Sequence, residues 1–107
     1  MLVYLAAPYK HPDPVRTQAR MEAFYIAAAN LTNEGYHVVS PLLFHPLAVR
    51  DLVGRDWKFW KEHAVALLSV CERLYVLTLE GWLDSEGVTG EIELARQLGL
   101  PITYLGD

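Results

Sequence analysis

Residues Gly81-Trp82-Leu83-Asp84-Ser85-Glu86-Gly87-Val88-Thr89-Gly90-Glu91 gather a hydroxyl, glycines and several acids into one short segment. It follows an apolar run and opens a stretch with helical patterning, so its backbone amides can hold an anion. Ser85 can cap the helix or donate to a phosphate. Gly87 lets a ligand approach the backbone, and Glu91, about one turn inside the helix, can point back toward the same crevice. The segment thus pairs an anion cradle with a carboxylate. An ordinary capped helix with solvated acids would show the same spacing.

Other polar residues carry weaker signals. Lys10 and Arg16 lie just beyond the first apolar run and could neutralise a phosphate, or simply be solvated. His45, in Pro41-Leu42-Leu43-Phe44-His45-Pro46, is the histidine placed to line a crevice; a local loop hydrogen bond is the alternative. No two of His11, His37, His45 and His63 share an i,i+4 relation and no HxH pair occurs, so no metal site and no cofactor is expected. Trp57, Phe59 and Trp60 fall within one helical pattern and read as core or oligomer contacts rather than as a base platform. Cys71, in an apolar stretch, reads as a small buried hydrophobe. GxGxxG and GxxxxGK[ST] are both absent, leaving dinucleotide oxidoreductases and NTPases without support.

These residues must be positioned by alternating elements. Leu2 to Ala7 is an apolar run suited to a strand buried on both faces. Val15 to Glu34 carries apolar residues at helical spacing until Gly35, with Arg16, Gln18, Arg20 and Glu22 turned outward. Tyr36 to Val39 reads as a second strand stopped by Ser40-Pro41. Residues 41–55 read as a long loop or broken helical turn. Asp56 can cap a helix through about Val70, with Phe59, Trp60, Ala64, Leu67 and Leu68 on its inner face. A strand over Leu74 to Leu79, a helix over Gly87 to Leu98 and a strand over Pro101 to Leu105 complete the chain.

The order βαβαβαβ predicts a single α/β domain over residues 1–107, a three-layer Rossmann-like (flavodoxin-like) fold. Its four-stranded parallel sheet is expected in the order 2-1-3-4. Such sheets bind ligands beyond the carboxyl ends of the strands, so the loops after the first three strands should converge.

Composition narrows the partners. The chain has 107 residues, 52% of them hydrophobic, which suffices for one modest core. A net charge of −4 with scattered basic residues argues against polynucleotide binding but leaves a single nucleotide open. One cysteine points to a reducing compartment. Without a leader pattern or a membrane-length apolar run, the expectation is a cytoplasmic protein with no membrane partner. A domain of this size favours self-association, as a homo-oligomer of two or four subunits.

Tyr4-Leu5-Ala6-Ala7-Pro8-Tyr9 and the SxGVxxE pattern over Ser85 to Glu91 resemble the nucleoside 2-deoxyribosyltransferase superfamily, nearly end to end. The likeness is strongest to its small bacterial and phage-borne branch, marked by Gly81-Trp82, Ser85, Gly87 and Glu91. The same SxGVxxE arrangement is similar to that of deoxynucleoside 5′-monophosphate N-glycosidases. The resemblance implies that Glu91 attacks or stabilises an anomeric carbon, that Tyr4 orients that carboxylate, and that Ser85 binds a 5′-phosphate. An oxocarbenium-like state would be stabilised or trapped by such a buried acid. Pro8, Tyr9, Lys10, His45, Gly81, Trp82, Ser85 and Gly87 form the expected substrate-binding set, with Tyr9 or Phe44 able to stack on a base. The superfamily's further aspartate falls near Ala64, after Glu62 and His63, neither an exact replacement. A nucleotide-sensing module without catalysis is therefore the alternative to an enzyme.

Overall fold

A computed structural model describes residues 1–44 and 56–106. The elements are β1 (Leu2–Ala6), α1 (Pro14–Asn33), β2 (His37–Val39), α2 (Trp57–Leu68), β3 (Arg73–Leu77), α3 (Glu86–Gln97) and β4 (Ile102–Leu105). Short 3-10 turns occupy Pro41–Phe44 and Trp82–Asp84. All strand pairs are parallel and the sheet order is β2-β1-β3-β4, the expected Rossmann-like arrangement.

The two-residue period of the strands divides the core. Val3, Leu5, Tyr75 and Leu77 face one way and pack with Met21, Phe24 and Leu31 of α1. Tyr4, Ala6, Leu74 and Val76 face the other way, against Ala64 and Leu68 of α2 and Val88, Ile92 and Ala95 of α3. Among the described elements, α1 therefore covers one face of the sheet and α2 and α3 the other. Phe24 and Leu68 are fully buried, a gain of roughly 1.5–3 kcal/mol each by area.

Several boundaries differ from the sequence reading for local reasons. Helix α1 starts at Pro14, a residue that needs no N–H partner at a first helical position, and Asp13 Oδ1 accepts from Val15 N at 3.0 Å. Strand β3 stops at Leu77 instead of Leu79, because Leu79 N–H turns back to the Leu77 carbonyl at 3.0 Å. Thr78 is held to the Leu105 carbonyl through its N–H at 2.9 Å and its hydroxyl at 2.7 Å. Phe59, expected on the inner face of α2, is 51% exposed, while Ala64 and Leu68 carry the burial. None of the described helices is long and apolar enough to cross a membrane.

From β1 the chain reaches β2 on one side, whereas β3 and β4 lie on the other. The sheet therefore has its switch point between β1 and β3, where diverging loops leave a crevice at the carboxyl edge.

Candidate active site

That crevice is a cleft of about 930 Å³. The loop after β1 lines it with Ala7, Pro8, Tyr9, Lys10 and His11, the loop after β2 with Ser40, Pro41 and Leu42, and the loop after β3 with Leu79, Glu80 and Gly81. Asp84, Ser85, Glu86, Gly87, Val88 and Glu91 lead into and along α3 on the same wall.

Glu91 is on the inner stripe of α3, at helical spacing with Val88, Ile92 and Ala95, so it is carried inward with the apolar residues and is only 8% exposed. Tyr4, on the β1 face that looks toward α2 and α3, is fully buried and donates its hydroxyl hydrogen bond to Glu91 Oε2. The two residues lie 87 positions apart in the chain. Burial pushes the Glu91 carboxyl up to about 8, and the Tyr4 hydrogen bond pulls it partly back. Burial first, and the neighbouring Glu91 second, push the Tyr4 hydroxyl far above its ordinary 10, so it remains a donor at any working pH. No other hydrogen bond reaches Glu91 among the described residues, which leaves Oε1 open. Burial therefore favours the protonated carboxyl at neutral pH.

Ser85 is the N-cap of α3: its Oγ accepts from Val88 N at 3.2 Å, leaving the hydroxyl hydrogen for another acceptor. A Cβ added to Gly87 would meet only ordinary contacts, 3.9 Å from Trp57 and 4.0 Å from Ser85 Oγ. The protein itself thus leaves the backbone at Gly87 open to a ligand. Lys10 and Arg16 line the cleft, and among the described residues their side chains make no hydrogen bond or ion pair. Among the described residues no group of three His, Cys, Asp or Glu side chains could hold a metal ion.

Pro8, Tyr9, Lys10, Gly81, Ser85, Gly87 and Glu91 of the expected set therefore converge, with Tyr4 directly behind Glu91. Trp82 does not join them. Its ring stacks at a tilt on Tyr104, with centroids 5.5 Å apart, and packs against the core, because the 3-10 turn after Gly81 carries it over the β4 side of the sheet. His45 and the side chain of Phe44 lie outside the described residues. Ala64 is fully buried in the core, and Glu62 and His63 are exposed and outside the cleft lining.

The structure gives other residues a place that the sequence reading did not assign them. Trp57 and Trp60 line the cleft, since a helix that follows a strand begins at the carboxyl edge and its first turn faces the crevice. A Cβ on Gly90 would fall 2.4 Å from Trp57 Cζ2, so a glycine there is what lets the indole lie on α3. Gly90 was visible as the one further glycine of the Ser85–Glu91 pattern. Arg20, read as outward-facing, also borders the cleft and donates to two loop carbonyls, Lys10 O and Glu80 O, at 2.7 Å each.

A parallel α/β domain with a hydrogen-bonded acid buried at its switch-point cleft is the class defined here. The chain belongs to the family described as a domain of unknown function, DUF1937, whose model matches residues 1–106. No curated protein matches it.

Proposed function

We propose that this protein cleaves or transfers the N-glycosidic bond of a nucleoside or nucleoside 5′-monophosphate, with Glu91 as the reacting carboxylate. The observation that carries this reading is the Tyr4–Glu91 pair, a buried acid oriented by a phenol at a cleft large enough for a nucleotide. The resemblance of the Tyr4–Tyr9 and Ser85–Glu91 segments to the deoxyribosyltransferase superfamily supports the same assignment.

In this reaction the Glu91 carboxylate attacks C1′ as the C1′–N bond breaks and the base leaves with a proton from solvent. Water then releases the sugar from Glu91, or a second base takes it. Tyr4 holds Oε2 through both steps and keeps Oε1 aimed at the sugar. Ser85 and the α3 amide end hold the 5′-phosphate, with Lys10 and Arg16 balancing its charge. Tyr9, Trp57 and Trp60 offer aromatic surface to the base. The setting we assign is the cytoplasm, where the single Cys71 stays reduced. Tyr25 and Ile26, exposed side by side on α1, favour a homo-oligomer.

One observation favours a second reading. No acid of α2 after its cap reaches the cleft, and Ala64 is sealed in the core. A module that senses a nucleotide without turning it over would have this arrangement.

Incubation with nucleosides and nucleoside 5′-monophosphates, in ribo and deoxy forms, separates the two. Free base detected by chromatography, abolished in Glu91→Ala and weakened in Ser85→Ala, is the expected result. No release, with a thermal shift on nucleotide binding, would replace the enzyme by the sensor. Neither release nor binding would end both readings.

A further inference from the structure

We propose that Arg20 is the positioning residue of the cleft: it fixes the spacing of the β1 and β3 loops and so sets how tightly a ligand is held, without touching the ligand. This rests on the reading that the cleft binds a nucleoside or nucleotide.

Arg20 projects from the second turn of α1, beneath both loops. Its Nη1 donates to the carbonyl of Lys10 and its Nη2 to the carbonyl of Glu80, each at 2.7 Å. These are short, charge-assisted bonds to two segments far apart in sequence, and a planar guanidinium holds both acceptors in one fixed fork. Lysine has a single ammonium on a flexible stem and cannot reproduce that geometry. The loops it joins are functionally unlike. One presents Tyr9 and Lys10 to the cleft, and the other leads through Asp84 and Ser85 to the amino end of α3.

Gly81 records the same constraint from the other side. Its φ is +87°, and a Cβ there would stand 2.8 Å from Arg20 Nη2. A side chain at this position would both strain the backbone and press on the guanidinium. Arg20 and Gly81 thus act as one latch.

An arginine lining a nucleotide cleft invites assignment as a phosphate ligand. Arg20 differs from a free phosphate ligand in that each terminal nitrogen spends one of its two N–H groups on a loop carbonyl, so the loops fix the plane of the guanidinium before any ligand arrives. Arg16, one turn earlier on α1, also lines the cleft and has no hydrogen bond or ion pair among the described residues. The division predicts different losses. Removing Arg16 should weaken monophosphates and spare nucleosides, whereas removing the latch should weaken both alike.

The test compares Arg20→Met, Arg20→Lys and Gly81→Ala with the unaltered chain. Amide hydrogen exchange of residues 8–13 and 80–85 is followed first, without ligand. Binding and turnover of the four 2′-deoxynucleosides and their 5′-monophosphates follow. We expect Arg20→Met to speed exchange in both loops together, with protection of β1 and β3 unchanged. KM should rise about ten-fold to a hundred-fold for nucleosides and monophosphates equally, with kcat nearly unchanged. Gly81→Ala should reproduce the faster exchange of both loops, and Arg20→Lys should recover little of what Arg20→Met loses.

Loss confined to monophosphates would make Arg20 an anion ligand and overturn the proposal. So would a fall in kcat at constant KM, or exchange rising in neither loop. If the unaltered protein binds and cleaves no nucleotide, the functional reading fails while the exchange arm still decides whether Arg20 joins the loops.

Discussion

Replacing Glu91 by glutamine should stabilise the protein relative to the unaltered chain by an amount that grows as pH rises, and should leave it inactive at every pH. The carboxyl has an ordinary value of 4.5 and is pushed up to about 8 by burial. Between those values the unfolded chain has lost this proton and the folded chain still holds it. The folded state therefore binds more protons, and stability attributable to Glu91 falls with rising pH at about 1.4 kcal/mol per pH unit. The contribution is fully present below pH 4.5 and exhausted above about 8, a total on the order of 5 kcal/mol. Glutamine is a neutral isostere whose amide oxygen can still accept from Tyr4, and it does not titrate. Other carboxylates titrate in both proteins, so the difference between the two isolates Glu91. Urea denaturation at about pH 5.5 and about pH 7.5 should show the variant gaining on the unaltered chain by about 2–3 kcal/mol. A pH-independent difference, or a variant that loses ground as pH rises, would refute the argument. Glu91 would then be charged throughout, which needs a counter-cation or water at the carboxylate.

Other substitutions test the remaining parts of the site. Tyr4→Phe removes the one hydrogen bond that lowers the Glu91 value, so kcat/KM for base release should fall about ten-fold or more at pH 7 and partly recover at higher pH; a uniform loss across the pH profile would point to packing instead. Gly90→Ala forces a methyl into the Trp57 indole and should cost about 1–3 kcal/mol in urea melts, while Gly87→Ala meets no clash and should be neutral or gain up to about 1 kcal/mol. If Gly87→Ala nonetheless weakens nucleotide binding measured by calorimetry, the ligand touches that backbone. Ser85→Ala removes the α3 cap and should lower stability by about 0.5–2 kcal/mol, with a larger affinity loss for monophosphates than for nucleosides; equal losses would leave Ser85 a cap alone.

The amino-acid order determined the fold because each element carried its own signal. Apolar runs such as Leu2 to Ala7 and Leu74 to Leu79 read as buried strands, and helical spacing between them pointed to parallel pairing with crossovers. It also indicated most of the residues that line the candidate cleft, since loops at the carboxyl edge converge. Ser85 as a cap and Glu91 as an inward acid follow from spacing within a single helix, a local property. What spacing could not reach was the packing of one element against another. Trp57 and Trp60 looked like core because their period was helical, but their place in the first turn of α2 puts them at the crevice. Trp82 looked like a site residue beside Gly81, and a left-handed turn at Gly81 sends it to Tyr104 instead. Arg20 looked solvated because nothing nearby in sequence needed it; its two acceptors are 10 and 60 residues away. Local periodicity decides which face of an element is buried, whereas the partner met by a side chain at the end of that element depends on how separate elements are docked. That relation is a property of the tertiary structure alone.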